Sequence, residues 1–310
     1  MYHLKDLQLA IRIADLHSVS AAARELGMTP ASASAALQRL EHKLNCQLFA
    51  RSTRNMQLTE EGQTFIETGR QALNLLQNAS DALADNRGEL RGELRIALPS
   101  DLGRNRVRGW LDELAAQAPE LTLRLYFGDQ MEDLIAQNVH LALRYGELPD
   151  SSLMRRQLAR MHRVAVAAPG YLARHGRPSH PQQLSQHKIL LLNRGNTPWH
   201  RWHFADKQAP LEVELTGIKS CNDGAVIKEW ALAGEGIAYK SWFDVAQEVT
   251  EGRLELLLTD YLAEPIPLQL TYLQTDYPSH KVRTCIEFLK MKCQAFDSRY
   301  PLTKPQKDKT

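Results

Sequence analysis

The first ninety residues of the chain carry apolar side chains at the spacing of α-helices. Between residues 4 and 16, Leu4, Leu7, Ile11 and Ala14 fall on one face, which predicts a helix of about three turns. Beyond this region, strand-like and helix-like segments alternate. The sequence therefore predicts an all-α N-terminal part followed by an α/β part.

Two further helices follow the first, and each has a start signal of its own. Ser18 is an N-cap for a short helix that Gly27 ends, because glycine readily adopts the left-handed backbone found after helices. Thr29 is a second N-cap, and Pro30 stands at the first helical position, where its missing N–H costs nothing. The helix that they open is predicted to run to about Leu44.

A small hairpin and a long helix complete the helical region. Short extended segments at 47–51 and 56–58 flank a polar, basic tip. Thr59, followed by two glutamates, begins a helix predicted to run to about Asn86. Along it, the positions separated by alternating steps of three and four residues are Gly62, Phe65, Gly69, Ala72, Leu76, Ala79 and Leu83.

Steps of three and four residues are the spacing of a coiled-coil seam. A helix of roughly 27 residues extends about 40 Å at 1.5 Å per residue, too far for a small N-terminal domain to cover. We therefore expect a homodimer through this helix. Packing of the helix against its own chain is the alternative.

From Gly92 onward the alternation of strand and helix is typical of an α/β domain with a parallel, doubly wound sheet. The last predicted strand and helix resemble the first set more than the second. This indicates two subdomains, with the chain crossing near residue 161 and returning near residue 265. The predicted strands are 94–98, 121–127, 141–143, 164–168, 189–192, 211–216, 237–239, 254–258 and 268–273, with helices near 111–115, 134–135, 227–233 and 282–296.

Composition narrows the functional classes. With 38 basic and 36 acidic residues the net charge is +2, so any affinity for nucleic acid must come from a local patch. The four cysteines show no CxxC or zinc spacing, which favours reduced thiols. No apolar run approaches the roughly 20 residues that span a bilayer, and the N-terminus lacks a signal-peptide core. We expect a cytoplasmic protein with no membrane partner.

The two helices and turn within residues 20–44 form the sharpest local signal. Hydroxyls near the start of the second helix suit phosphate oxygens, and Gln38 and Arg39 suit base edges in the major groove. Arg51 and Arg54 in the hairpin suit phosphate or the minor groove. Two helices joined by a glycine turn are, taken alone, more often plain packing. Their combination with a basic hairpin and a dimerising helix favours DNA binding.

These segments together resemble the winged helix-turn-helix of LysR-type transcriptional regulators. The segments that carry the resemblance are Ser18-Val-Ser-Ala-Ala-Ala-Arg-Glu-Leu26, Thr29-Pro-Ala-Ser-Ala-Ser34, Leu40-Glu41, Leu48-Phe49-Ala-Arg51 and Leu58-Thr59-Glu-Glu-Gly62. Length and subdomain layout agree with the same family. Segments similar to one large bacterial subgroup are Arg144-Tyr-Gly-Glu-Leu-Pro-Asp-Ser-Ser-Leu153 and Ala168-Pro-Gly-Tyr-Leu-Ala-Arg-His-Gly-Arg-Pro178.

The resemblance implies a sequence-specific transcriptional regulator that binds double-stranded promoter DNA as a homodimer or homotetramer. It also implies a C-terminal domain, like that of periplasmic binding proteins, that holds a small-molecule effector between its subdomains. We expect a winged helix-turn-helix domain over 1–59, a linker and dimerisation helix over 60–88, an effector-binding domain over 91–298 and a flexible tail over 299–310. Subdomain I comprises 91–161 and 266–298, and subdomain II comprises 162–265.

The expected DNA-contacting residues lie mostly on the second helix of the motif. Pro30 replaces a glutamine common in the family, and Ala35 replaces a common arginine or glutamine, so base reading must use other side chains or DNA shape. The full set of expected contacts is Ser20, Thr29, Pro30, Ala31, Ser32, Ser34, Ala35, Gln38, Arg39, Arg51 and Arg54.

For the effector, the loop after the first strand of the α/β domain opens onto a helix start, where backbone N–H groups favour an anion such as a carboxylate. Arg144 suits an acid, but a structural ion pair is an equal interpretation. Asp101 and Asp129 leave room for a cationic or zwitterionic ligand. By family position, the expected lining is Ser100, Asp101, Gly128, Asp129, Arg144, Thr197, Trp199, Asn222 and Tyr239.

The sequence contains no sign of catalysis. GxSxG, HExxH, Walker and GxGxxG motifs are all missing, so we expect no enzyme and no cofactor. The run Trp199, His200, Trp202, His203 and Phe204 is interpreted as a buried cluster, with a metal site as the less favoured alternative. A solute-binding protein and an enzyme on the α/β domain are the other functional classes that we considered.

Overall fold

The computed structural model describes residues 3–51, 56–84, 90–128, 139–146, 153–195, 197–207, 209–273 and 278–302. These residues form two compact units, one up to residue 84 and the other from residue 90. Several predictions fall outside this part of the chain. They concern the helix near 134–135, Arg54, Asp129, the side chain of Arg51, and the tail beyond Leu302.

Three short helices, a hairpin and a long helix make up the first unit, in the order that the sequence predicts. The N-caps are those expected: Ser18 Oγ accepts the N–H of Ala21 at 3.2 Å, and Thr29 Oγ1 accepts that of Ser32 at 3.2 Å. The elements are α1 Leu4–Leu16, α2 Val19–Glu25, α3 Pro30–Leu44, β1 Phe49–Arg51, β2 Met56–Leu58 and α4 Glu60–Ala84.

The turn between α2 and α3 depends on Gly27, whose φ of +66° lies in the left-handed region. The N–H of Met28 bonds to the carbonyl of Ala23 at 2.8 Å, and the N–H of Gly27 bonds to that of Arg24 at 3.2 Å. This pair of hydrogen bonds is a Schellman motif, which ends a helix and satisfies its last carbonyls. The geometry of this turn fixes the angle between α2 and α3.

The hairpin β1–β2 is attached to α3 by one carboxylate. Glu41 Oε1 accepts the N–H groups of Leu48 and Phe49 at 2.9 and 3.3 Å. The two strands pair antiparallel, with Phe49 opposite Leu58. These hydrogen bonds fix the position of the first wing strand relative to α3.

The long helix α4 begins as predicted, with Thr59 Oγ1 accepting the N–H of Gly62 at 2.9 Å. Two glycines of the predicted seam, however, face the helix's own domain. A Cβ on Gly62 would overlap the carbonyl of Leu48, and one on Gly69 would overlap the side chain of Leu7. The small residues at 62 and 69 therefore serve packing within the chain, and a dimer seam is left only to positions farther along the helix.

The described residues of the second unit form one five-stranded and one six-stranded sheet, with helices on their faces. The first sheet has the strand order β4-β3-β5-β15-β6, and helix α10 packs against β6. Its elements are β3 Gly92–Leu98, α5 Ser100–Leu102, a π-helical turn Gly103–Val107, α6 Arg108–Gln117, β4 Leu121–Phe127, β5 Leu141–Tyr145, β6 Leu153–Met161, β15 Ile266–Leu273 and α10 His280–Arg299.

The second sheet has the order β12-β8-β13-β7-β14, with β9 added beside β8, and the hairpin β10–β11 forms a separate two-stranded ribbon. Its elements are β7 Arg163–Ala167, α7 Pro169–His175, β8 Ile189–Arg194, β9 Thr197–Pro198, β10 Arg201–Asp206, β11 Ala209–Glu214, β12 Gly217–Cys221, α8 Gly224–Leu232, β13 Ile237–Ser241, α9 Trp242–Thr250 and β14 Glu255–Leu257, with 3₁₀ turns at Pro181–Gln186 and Thr259–Tyr261.

The prediction of wholly parallel sheets is wrong. In the first sheet β15 runs antiparallel to both β5 and β6, and in the second β7 runs antiparallel to both β13 and β14. The reason lies in the chain crossings: β6 passes into β7 through the single residue His162, and β15 brings the chain back. A direct crossing of this kind allows no helix that would restore a parallel direction.

One apolar core runs through both sheets, and a second lies under α7 and the ribbon β10–β11. Within the described ranges, no helix is both long enough and apolar enough to cross a membrane. The first core contains Leu98 and Leu102, from β3 and α5, together with Val166 and Ile227, from β7 and α8. The two sheets therefore share one core and form a single unit.

Gly62→Ala is expected to destabilise the first unit by about 1–3 kcal/mol, since the new methyl group overlaps a backbone carbonyl that cannot move aside. Urea unfolding followed by circular dichroism measures the loss. Thr68→Ala, at an exposed position of the same helix, is the control and should change stability by less than about 0.5 kcal/mol. Equal stability of the two variants would contradict the packing described here.

Candidate functional site

The exposed side of α3 is the candidate DNA interface. Its inner side, formed by Ala33, Ala36, Leu37 and Leu40, is buried in the core of the first unit. All of the predicted DNA-contacting residues with described side chains are exposed, namely Ser20, Thr29, Pro30, Ala31, Ser32, Ser34, Ala35, Gln38 and Arg39.

Two hydroxyl groups at the start of α3 are already hydrogen-bonded to the backbone of the helix itself. Ser32 Oγ donates to the carbonyl oxygen of Thr29 at 2.8 Å, while Thr29 Oγ1 caps the N–H of Ser32. In contrast, Ser34, Gln38 and Arg39 have no side-chain hydrogen bond or ion pair to any described residue. Their full bonding capacity is therefore available to a ligand, and Gln38 and Arg39 are the two that can pair with base edges.

A cleft of about 780 Å³ lies between the two sheets of the second unit. Its walls come from the ends of β3, β5 and β8, the start of β7, the ribbon β10–β11 and the segment that leads into β15. The lining residues are Pro99, Asp101, Arg144, Tyr145, Gly146, Arg163, Leu192, Arg194, Trp199, His203, Phe204, Ala205, Pro210, Leu211, Glu212, Tyr239, Ala263, Glu264 and Ile266.

Four of the residues predicted to line the cleft do so: Asp101, Arg144, Trp199 and Tyr239. The cleft lining does not include the predicted Ser100, Gly128, Thr197 and Asn222. Ser100 is buried and its Oγ accepts the N–H of Gly224 at 2.8 Å, so it joins the two sheets beneath the cleft. Arg144 is buried as well, and its Nη1 donates to the carbonyl of Leu143 at 3.0 Å.

Beneath the cleft lies a network of buried charges that crosses between the two sheets. Lys240 Nζ is 2.7 Å from Asp101 Oδ2 and 3.1 Å from Asp244 Oδ2. Lys228 Nζ in turn is 3.1 Å from Asp244 Oδ1 and 3.2 Å from Glu248 Oε1. Asp101 follows the first strand of one sheet, whereas both lysines belong to elements of the other sheet.

Further hydrogen bonds complete this network on the side of the first sheet. Tyr145 Oη donates to Asp101 Oδ1 at 3.1 Å, and Asn105 Nδ2 donates to Asp244 Oδ1 at 2.7 Å. Lys240 Nζ also donates to the carbonyl of Gly224 at 2.7 Å. Because buried charges are tolerated only when they are paired and hydrogen-bonded, these contacts make the junction of the sheets specific.

The pKa values of the network reflect a competition between burial and the opposite charges nearby. Burial by itself raises the pKa of Asp101, but the Lys240 ammonium outweighs it and holds that pKa below the usual value of 3.8. Burial likewise lowers the pKa of Lys240, yet Asp101 and Asp244 raise it above 10.5. Both groups are therefore charged at neutral pH. Burial and the charge of Asp101 raise the pKa of Tyr145, so its hydroxyl stays a donor.

The sequence did not indicate the two arginines that contact Trp199. The guanidinium carbon of Arg163 is 4.4 Å from the Trp199 ring centroid, and that of Arg194 is 3.8 Å from it. Arg163 is the first residue of β7, directly after the crossing between the sheets. No sequence motif marks this position, although its place after the predicted crossing was a usable signal.

The run from Trp199 to Phe204 is only partly buried. Trp202 and Phe204 are buried and lie beside Tyr239, with ring centroids 5.0 and 5.6 Å away, while His203 is exposed. Strand alternation in β10 explains the difference. Among the residues that the structure describes, no group of three or more His, Cys, Asp and Glu side chains is arranged to hold a metal ion.

A helix-turn-helix with a hairpin wing, joined to an α/β unit with a cleft between two sheets, defines the class of ligand-responsive DNA-binding proteins. Residues 4–63 match the family model described as bacterial regulatory helix-turn-helix protein, lysR family, and residues 87–294 match the LysR substrate binding domain. The chain belongs to the LysR family of transcriptional regulators, which bind DNA and are controlled by a small-molecule effector in the C-terminal cleft.

Relatives and solved structures agree with this family. The chain is 34% identical over 298 residues to the HTH-type transcriptional regulator DmlR of Escherichia coli K12, covering 96% of both proteins. It is 33% identical to the transcriptional activator TtdR of the same strain, covering 94% of this chain and 93% of that protein. CrgA, a LysR-type transcriptional regulator from Neisseria meningitidis, superposes with a TM-score of 0.60 at 25% identity, covering 96% of this chain and 99% of CrgA.

Lys240→Met is expected to lower the free energy of unfolding at neutral pH by about 3–5 kcal/mol, because two buried carboxylates lose their cation. Urea unfolding measures this loss. In the native chain the pKa of Asp101 is lowered on folding, so its contribution is present above about pH 4 and is lost as the pH falls further. In the variant burial raises that pKa instead, so the difference between the two proteins should shrink toward about pH 4.5.

The control for this experiment is Lys219→Met, which removes an exposed lysine 3.1 Å from Glu235. Its effect should stay below about 1 kcal/mol at either pH. A loss of stability at Lys240 no larger than that at Lys219 would show that the buried network does not hold the two sheets together.

Proposed function

We propose that α3 enters the major groove of promoter DNA and that Ser34, Gln38 and Arg39 make its main polar contacts. The observation that carries this proposal is the concentration of exposed, uncommitted side chains on one face of a capped helix within a family of DNA-binding regulators. Thr29, Ser32 and Ser20 contribute near the helix starts, where backbone N–H groups suit phosphate. Arg51 and Arg54, expected from the sequence to contact phosphate or the minor groove, supply charge for the DNA backbone in this proposal.

We further propose that two chains pair through α4 and that the homodimer is the DNA-binding form, with a homotetramer as its larger assembly. Leu75 and Leu76 on this helix are each 52% exposed, which is unusual for neighbouring leucines. Two heads related by a twofold axis require an operator with dyad symmetry. The domain boundaries for this assembly are those proposed from the sequence, with the linker helix at 60–88.

Effector control requires that one arrangement of the two subdomains binds the ligand better than another. In our proposal the ligand occupies the cleft between them, and the ends of β5 and β7 transmit the change. The regulator acts in the cytoplasm, where its promoter DNA is, and it turns over no substrate. Its relatives named above are likewise called transcriptional regulators or activators.

Arg39→Ala is expected to weaken binding to the chain's own upstream DNA by about 5- to 100-fold, and Gln38→Ala should relax the choice between operator and unrelated DNA. Fluorescence anisotropy at two salt concentrations measures both effects. If Arg39 contacts phosphate, the salt dependence also becomes shallower by about one ion.

Gln8→Ala, an exposed substitution on α1, is the matched control and should leave DNA affinity unchanged. If neither α3 variant changes the affinity for DNA, α3 is not the helix that contacts the bases. A protein that ignores its upstream DNA even at low salt would contradict the proposed function as a whole.

Leu76→Glu is expected to weaken dimerisation by at least about 10-fold, because a buried interfacial charge without a partner is costly. Sedimentation velocity over a concentration series measures the shift toward monomer. Gln71→Glu, an exposed position of the same helix outside the seam, should leave the distribution unchanged. If Leu76→Glu dimerises as tightly as the native protein, the dimer interface does not include Leu76.

A further inference from the structure

Arg163 is a cation of the cleft lining whose guanidinium lies beside two aromatic rings. Its guanidinium carbon is 4.4 Å from the ring centroid of Trp199 and 5.3 Å from that of Tyr145. Tyr145 is the last residue of β5 in the first sheet, and Trp199 follows β9 of the second sheet, so Arg163 lies where the two walls face each other. In the described part of the chain, its side chain has no hydrogen bond and no ion pair.

None of the described carboxylates that line the cleft forms an ion pair with Arg163. Asp101 pairs with Lys240, 2.7 Å away, and its other oxygen accepts from Tyr145; the charge of Arg163 adds to that of Lys240 in lowering the pKa of Asp101, but without direct contact. Glu212 lies 3.4 Å from His203. Glu264 is exposed at the rim. The guanidinium N–H groups of Arg163 thus have no carboxylate partner among the described residues and can pair with a ligand.

A second cation lies on the same side of the cleft. The guanidinium carbon of Arg194 is 3.8 Å from the centroid of Trp199, the ring that Arg163 also contacts. Two guanidinium groups beside one indole form a planar, weakly hydrated surface that suits a carboxylate. Such a surface disfavours an amine.

The rest of the cleft is large and mostly apolar. At about 780 Å³ it falls in the range of about 300–1,000 Å³ that is typical of sites for drug-sized ligands. Its apolar walls are Leu192, Phe204, Leu211, Tyr239 and Ile266. Burial raises the pKa of Tyr239 to about 12, so this ring offers a neutral surface at every physiological pH. A ligand that fills the cleft needs an apolar body as well as its charged group.

We infer that Arg163 is a specificity-determining residue that binds the carboxylate of the effector, and that the effector is an aromatic monocarboxylic acid. The inference rests on the proposed use of this cleft as the effector site. The carboxylate of the ligand pairs with the guanidinium N–H groups of Arg163, and the ring of the ligand lies against the aromatic walls of the cleft. Arg163 follows the crossing between the subdomains, so a ligand held there contacts both of them.

Isothermal titration of the full-length protein tests this inference with benzoate, 4-hydroxybenzoate and 2-naphthoate as probes. Three further compounds are the comparisons. Benzamide has the ring but no charge, benzylamine has the ring and a positive charge, and L-malate has carboxylates but no ring. We expect at least one aromatic acid to bind about 10-fold or more tightly than benzamide, benzylamine and malate. Arg163→Gln should lower the affinity for that acid by about 10- to 100-fold and leave the affinity for benzamide unchanged.

Arg163→Lys keeps the charge but loses the fork, so it should give an intermediate affinity for the acid. It also serves if the glutamine variant does not fold. Arg174→Gln, at an exposed arginine on α7 outside the cleft lining, is the matched control and should bind the acid like the native protein.

The inference is wrong if the best acid binds the glutamine and lysine variants as well as it binds the native protein. It is also wrong if benzylamine or malate binds more tightly than every aromatic acid, or if no aromatic acid binds. DNA binding by the same preparations separates these failures from that of the proposed function. A protein that binds upstream DNA but no aromatic acid remains a regulator with a different effector.

Discussion

The α/β unit depends on one buried ammonium group, that of Lys240. It lies between two carboxylates, Asp101 from the first sheet and Asp244 from the second. Removing three charges from water is costly, and only close pairing with further hydrogen bonds offsets that cost. The pairing is satisfied in one arrangement of the sheets, so it selects that arrangement more than it adds stability. An effector that alters the cleft acts directly above this junction.

In the first unit, an analogous constraint holds the DNA-reading helix in place. Glu41 of α3 accepts two N–H groups of the wing, and Gly62 of the long helix packs against the wing's carbonyl at Leu48. These contacts hold α3, the start of the wing and the start of the long helix in fixed positions relative to one another. Preorganisation of this kind reduces the entropy that DNA binding would otherwise cost.

Several features of the fold could be predicted because their causes are local. The N-caps at Ser18 and Thr29 and the turn at Gly27 follow from the chemistry of single residues and their neighbours. The direction of β7 and β15 could not be predicted, because it depends on how the chain crosses between sheets. The glycines at 62 and 69 were misassigned to a dimer seam for a related reason: helical periodicity shows that a face is packed but not what it packs against.

The sequence by itself determined the order of the elements, the reading helix with its exposed polar face, and the family. These depend on residues close together in the chain. Only the tertiary structure decided which side chains meet in the cleft. Tyr145, Arg163 and Trp199 come from separate strands and loops, and their juxtaposition follows from sheet packing over long sequence distances. A charge acquires its role from its partners, and long-range partners are absent from any local pattern.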